Sequence, residues 1–237
     1  MRISRSLLSF PLLAVASTLL LYGCAAPQPL GDNVPPPRYV VGDHWEYRVT
    51  DGLRRNALTQ LDVQVIAVNA GVATMHFVYV NEYGQTEKFE ELDADGGLRA
   101  GAFRNERYRL FSPALKLLDF PLGQRSPWRQ VVPTFRPDTE LDDDIQIYGT
   151  IQGRVPVTVP AGTYDAVAIY RILHLDDDEF WRSKTTRRDT VRYAAEVKGV
   201  VSEIRDAEYV EIGSAPDPAT IRTEHTTTEL VSFTPGK

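Results

Sequence analysis

From Tyr39 to near the C-terminus, apolar side chains recur at every second residue, and this period restricts the chain to β-sheet. Trp45, Tyr47 and Val49 alternate with His44, Glu46 and Arg48, and Leu61, Val63 and Val65 alternate with Asp62 and Gln64. Ile145, Ile147, Ile151, Val155, Val157 and Val159 keep the same beat, and further runs cover 72–80, 164–175, 187–197, 199–212 and 222–233. Successive side chains of a strand point to opposite faces, so each run buries one face and wets the other. Asp51-Gly52, Asn69-Ala70-Gly71, Glu82-Tyr83-Gly84, Asp93 to Gly97, Pro160-Ala161-Gly162 and Lys198-Gly199 punctuate the runs with residues suited to tight turns. The pattern predicts an all-β fold: a single curved antiparallel sheet over 39–237, meandering through ten or more strands into a half-barrel or open barrel, with little helix. Pro156 falls on the polar phase of its run, which predicts an edge or exposed position. Pro113 interrupts 106–118, where irregular structure or a short turn of helix is expected.

The N-terminus obeys a different rule. Arg2 and Arg5 precede an apolar stretch from Leu7 to Leu21 that is broken by Ser9, Pro11, Ser17 and Thr18. It falls short of the ~20 apolar residues of a spanning helix, so it reads as a signal peptide, residues 1–23. Its end, Leu20-Leu21-Tyr22-Gly23-Cys24, resembles the bacterial lipobox, with Tyr22 in place of the usual small residue. The resemblance implies lipidation of Cys24 and cleavage before it. Ala25, rather than Asp, follows the cysteine, which in family terms favours the outer membrane, periplasmic face, over the inner. Residues 24–38, with prolines at 27, 29 and 35–37, read as a lipidated tether too small and polar to pack a core.

Cys24 is the one cysteine of the chain, so no internal disulfide is available. The net charge is −6, and loss of the two signal-peptide arginines makes it −8. A moderately acidic chain without a basic stripe is a poor partner for nucleic acid. Membrane contact is expected through the lipid anchor.

Four segments carry a second resemblance: Val41-Gly42-Asp43-His44-Trp45-Glu46-Tyr47, Phe120-Pro121-Leu122-Gly123 with Trp128, Val155 to Ala166 around Pro160-Ala161-Gly162-Thr163-Tyr164, and Tyr193 to Val201. Together they resemble a family of uncharacterised bacterial envelope proteins, similar in architecture to the Lol lipoprotein carriers. The resemblance covers most of 40–212 and implies a curved sheet around an apolar cradle. It implies no activity.

No catalytic constellation emerges. The mature chain lacks a G-x-S-x-G elbow, and neither a catalytic residue nor a cofactor is expected. His44, His76, His174 and His225 stand apart in sequence, so they are expected to be surface or satisfied residues rather than metal ligands. Asp142-Asp143-Asp144 and Asp176-Asp177-Asp178-Glu179 lack a calcium-loop pattern and read as solvated loop tips. The aromatics offer more. Trp45, Tyr47, Phe77, Tyr79, Trp128 and Tyr170, with Phe89, Tyr164 and Trp181 beside them, are candidates to line a cradle for a lipid or other apolar ligand. The alternative is that they only fill the core, as aromatics in strands do. The expected function is a non-catalytic, membrane-anchored periplasmic lipoprotein that binds an apolar ligand. The competing expectation is an envelope scaffold or accessory subunit that binds a protein partner through a sheet edge.

Overall fold

The computed structural model describes residues 26–54, 57–102, 108–123, 127–138, 140–175, 185–211 and 219–237. Cys24, Trp181 and the acidic run at 176–179 lie outside them.

The described residues form twelve strands: β1 (His44–Asp51), β2 (Ala57–Asn69), β3 (Val72–Asn81), β4 (Gly84–Leu92), β5 (Leu98–Gly101), β6 (Arg109–Leu115), β7 (Trp128–Arg136), β8 (Leu141–Val159), β9 (Gly162–Leu175), β10 (Thr185–Ala194), β11 (Gly199–Glu211) and β12 (Thr220–Thr234). Eight of them stand on the alternating runs, and β4 to β7 lie outside those runs. A 3₁₀ turn, Ala195–Val197, is the only helical element among the described residues. Each strand pairs antiparallel with its sequence neighbour, and β1 pairs with β12, so the sheet closes on itself. The expected half-barrel or open barrel is therefore corrected to a closed twelve-stranded barrel. The closing register, His44 opposite Thr234 and Asp51 opposite Thr226, joins residues that no short-range periodicity connects.

Local chemistry explains the turns. Ala70 and Gly71 both take positive φ, 48° and 79°, the geometry of a two-residue hairpin whose twist matches its strands. Two expectations need correction. Arg109–Leu115 is strand β6 rather than irregular or helical chain. Pro113 is accommodated because β6 and β7 share only the Leu110–Phe135 and Phe111–Thr134 pairs, and Gln130 spans the gap by donating to the Ala114 carbonyl and accepting from the Lys116 amide. Asp142, Asp143 and Asp144 are not a loop tip; they lie in β8 opposite Phe135, Thr134 and Pro133. Pro156 is exposed on the half of β8 that extends beyond β7, as its phase predicts.

Barrel size sets the packing problem. Eight strands leave an interior that side chains alone can fill, and the diameter grows with strand number. Twelve strands need more filling, and this chain supplies it at the end of the barrel where β1 begins. Leu30 and Val34, from the proline-rich stretch expected to stay outside any core, are 3% and 5% exposed. They pack with Leu122, Val167, Ile169, Val191 and Tyr193. Backbone pairs Gln28–Arg154 and Val34–Leu122 fix the stretch in place. Gly153 permits this docking: with φ +127°, it leaves room for the Gln28 carbonyl oxygen, which would stand 2.2 Å from any Cβ there. The β6–β7 connection follows the same route and brings Leu118 and Phe120 against this cluster.

Candidate functional site

What the plug leaves unfilled is a cavity of about 350 Å³ inside the barrel. One wall is apolar. Trp45, Tyr47 and Val49 of β1, Leu61 and Val63 of β2, and Met75, Phe77 and Tyr79 of β3 line it, because these residues share the inward phase of neighbouring strands. Trp45 anchors the wall. It is 2% exposed, donates its indole N–H to the Val197 carbonyl at 2.7 Å, and meets Tyr39 edge-on and Phe233 at 5.3 Å between ring centres. Burial pushes the phenols of Tyr39, Tyr47 and Tyr193 well above the ordinary tyrosine range, so they are neutral at physiological pH.

The opposite wall is charged. Arg171 of β9 donates from Nε to Asp189 Oδ2 at 2.7 Å, from Nη2 to Glu203 at 3.0 Å and from Nη1 to the Leu117 carbonyl at 3.1 Å. Arg187 forks onto Asp189 at 2.7–3.0 Å. Arg205 donates from Nη2 to Glu203 at 3.1 Å, and its Nε lies 3.8 Å from Asp189. Asp189 is fully buried. Burial alone would raise its pKa, but Arg187, Arg171 and Arg205 outweigh that and hold it far below the usual carboxylate range. Burial likewise opposes ionisation of Glu203, and Arg205 leads the charges that overcome it. Both acids are ionised at neutral pH.

A fourth cation reaches the cavity from β4. Lys88 Nζ lies 4.9 Å from the centre of the Phe77 ring, 5.3 Å from that of Tyr79 and 3.2 Å from Glu90. Burial pushes its pKa down, but Glu90 and Tyr79 push it up by more, so it stays charged. At the plugged end Lys198 reaches Asp43, which also accepts from the amides of Val40 and Gly236.

The structure thus gathers four of the six aromatics expected to line a cradle: Trp45, Tyr47, Phe77 and Tyr79. The other two are corrected. Trp128 covers Gly149, where an added Cβ would meet the indole at 2.0 Å; it packs against the plug and donates to the Lys116 carbonyl. Tyr170 sits between inward-facing Ile169 and Arg171, so strand alternation turns it to the outer face. Phe89 is also outside, stacked on His76 at 4.7 Å. Tyr164 packs at the rim of the apolar core and donates to the Ala161 carbonyl. Sequence reasoning missed the whole charged wall. Its signal was present as charge on the apolar phase: Arg171 between Ile169 and Leu173, and Arg187 and Asp189 ahead of Val191 and Tyr193.

The histidines pair on the outer surface: His76 with Glu87, His225 with Asp206, His174 with Thr186, and His44 with Asp62 at 3.4 Å. His44, Glu46 and Asp62 come together across β1 and β2, which their sequence separation does not suggest. Ser232 donates to Glu46 in the same cluster.

No family model and no curated protein matches this chain. Two solved structures match it over 86% of this chain and the whole of theirs. A candidate lipoprotein of Parabacteroides distasonis is 12% identical with a TM-score of 0.48. A candidate exported protein with a YmcC-like fold, from Bacteroides fragilis, is 9% identical with a TM-score of 0.47.

Proposed function

We propose that this chain is a membrane-anchored periplasmic lipoprotein that holds a small ligand with an apolar body inside its barrel and performs no chemistry on it. One observation carries the reading: an aromatic-lined cavity persists although the chain has already inserted a plug into the barrel. Its volume lies at the lower end of the roughly 300–1,000 Å³ typical of small-molecule sites. That suits one short chain or ring system, not the three acyl chains of a lipoprotein cargo. The apolar side sets the body of the ligand, and the charged wall offers one polar end a place to bind.

The anchor belongs to the same proposal. A signal peptide cleaved before Cys24 would place the mature N-terminus in the outer leaflet of the inner membrane or, as we favour, the inner leaflet of the outer membrane. Docking from Gln28 leaves only four residue steps between it and the lipid, about 14 Å fully extended. The barrel is then held against the bilayer surface rather than swinging on a long tether.

Native mass spectrometry of the untagged domain, purified gently from membranes, tests the reading. A co-purified species of a few hundred daltons, lost on denaturation, is expected. A domain without bound mass that no apolar compound stabilises overturns it. Binding of a protein through a sheet edge is the less favoured reading, because ring closure pairs β1 with β12, and Gln28 occupies the edge of β8 at Arg154.

A further inference from the structure

We infer that the outer face of the barrel carries a divalent-cation site of the zinc class, with His44 Nε2 and one oxygen each of Glu46 and Asp62 as its protein ligands. The site is separate from the cavity and does not depend on what the cavity holds.

Strand geometry brings the three together. Trp45 and Tyr47 point into the cavity, so His44 and Glu46, their neighbours on β1, share the outer face two residues apart. Asp62 of β2 is the register partner of Glu46, and Ser232 of β12 is its partner on the other side. β1 is paired along both edges, so the backbone beneath the ligands is held and only side-chain torsions remain to be ordered. One ligand atom from each of the three lies within 4.8 Å of the other two. Carboxylates directly opposite one another on neighbouring strands repel. A divalent cation between Glu46 and Asp62 turns that repulsion into attraction.

The placement of His44 sets it apart from the other histidines. His76, His174 and His225 each make a hydrogen bond, at 2.9, 3.2 and 2.7 Å. His44 Nε2 stands 3.4 Å from Asp62 Oδ1, beyond the roughly 2.7–3.2 Å of such a bond. Two ligands bound at about 2.0–2.1 Å to one tetrahedral ion stand about 3.3–3.4 Å apart, which is the separation found. The other carboxylate oxygens are held from outside the cluster. Gln60 donates to Asp62 Oδ2 at 3.0 Å and Ser232 to Glu46 Oε2 at 2.9 Å, which leaves Asp62 Oδ1 and Glu46 Oε1 for an ion. Ligating carboxylates are oriented in this way by an outer layer of hydrogen bonds. The donor set selects the ion. An imidazole with two carboxylates suits zinc and its first-row neighbours, whereas calcium and magnesium take all-oxygen sets. The His44 and Asp62 side chains are 31% and 27% exposed, so an ion reaches them from solvent. Three protein ligands leave one tetrahedral position for water or a further ligand.

The test uses protein extracted from membranes in detergent, stripped with EDTA, dialysed and titrated with zinc chloride by calorimetry. One equivalent should bind. His44→Ala and Asp62→Asn should each weaken that equivalent by at least about tenfold, and Ser232→Ala by about tenfold, the low end of the cost of losing an outer hydrogen bond. His76→Ala and His225→Ala remove the other close histidine–carboxylate pairs of the outer face and should leave it unchanged. Stability gives a second readout. Excess zinc should raise the urea midpoint of the wild type and leave that of His44→Ala where it was. The same curves without zinc show that each variant is folded. Absence of a stoichiometric equivalent, or an equivalent that survives both His44→Ala and Asp62→Asn, overturns the site. So does one that is lost in His76→Ala or His225→Ala and kept in His44→Ala.

Discussion

Asp189→Asn should be among the most damaging conservative substitutions in this protein, and the structure fixes how damaging. The side chain is fully buried and holds Arg187 and Arg171 at 2.7 Å and Arg205 at 3.8 Å. Asparagine keeps the shape but removes the charge, so three guanidiniums are left with Glu203 as their acid in the cluster. Breaking a buried ion pair from one side costs about 3–5 kcal/mol. With a urea slope near the upper end of about 1–3 kcal/mol per molar, the midpoint should fall by about 1–2 M. Unfolding can be followed by the fluorescence of Trp45, which is buried in the core. Asp165→Asn is the control: it breaks an exposed pair with Arg154 and should cost no more than about 1 kcal/mol. Acid gives a second readout. The Asp189 pKa is lowered by folding, so its contribution is fully present above the unfolded value of about 3.9 and is lost as the pH falls through the folded value. Wild type and Asp189→Asn should therefore differ most near neutrality and converge in strong acid. A midpoint within 0.3 M (~1 kcal/mol) of wild type at pH 7, or a gap that widens in acid, refutes the view that this carboxylate holds the charged wall together.

Three further outcomes follow from other parts of the fold. Asp43→Ala removes the acceptor shared by Lys198 and the Val40 and Gly236 amides and should cost about 2–3 kcal/mol, less than a fully buried pair because Lys198 is a quarter exposed; chemical denaturation measures it. Gly153→Val puts a Cβ against the Gln28 carbonyl at a φ that valine avoids, so limited proteolysis should cut 26–38 far faster than in wild type; equal rates would show that the stretch is not held by this contact. Intact-mass measurement of protein extracted from membranes should find an acylated Cys24 as the first residue, and an unmodified cysteine, or cleavage elsewhere, would remove the anchor from the proposal.

Period two was enough to locate the strands with a single buried face. Leu61-Val63-Val65 and Ile145-Ile147 stand on the inner face as their alternation predicts. Periodicity loses phase where both faces are covered. Ala166, Val167, Ala168 and Ile169 are all nearly inaccessible, so nothing in that run told Tyr170 from its inward neighbours. It is also silent on closure, which depends on β1 meeting β12 across almost the whole chain. β6 was lost to a rule that holds for ladders, since Pro113 lies where β6 and β7 make none.

The deeper omission has a single physical origin. Reading every polar residue of a strand as solvent-facing assumes that the enclosed space is small enough for apolar side chains to fill. Twelve strands enclose more than that. Some of the excess is taken by chain that looks unfit for a core, Leu30 and Val34 set among prolines. More is taken by long charged side chains that span space and neutralise one another, Arg171, Arg187 and Arg205 against Asp189 and Glu203. Such a network is rarely worth its desolvation cost for stability alone, because apolar residues of like volume do as well or better. A barrel that only needed filling could have used leucine at these positions. One that carries Arg171, Arg187 and Arg205 with Asp189 and Glu203, beside a cavity walled by Tyr47 and Phe77, presents charge and apolar surface to the same enclosed space.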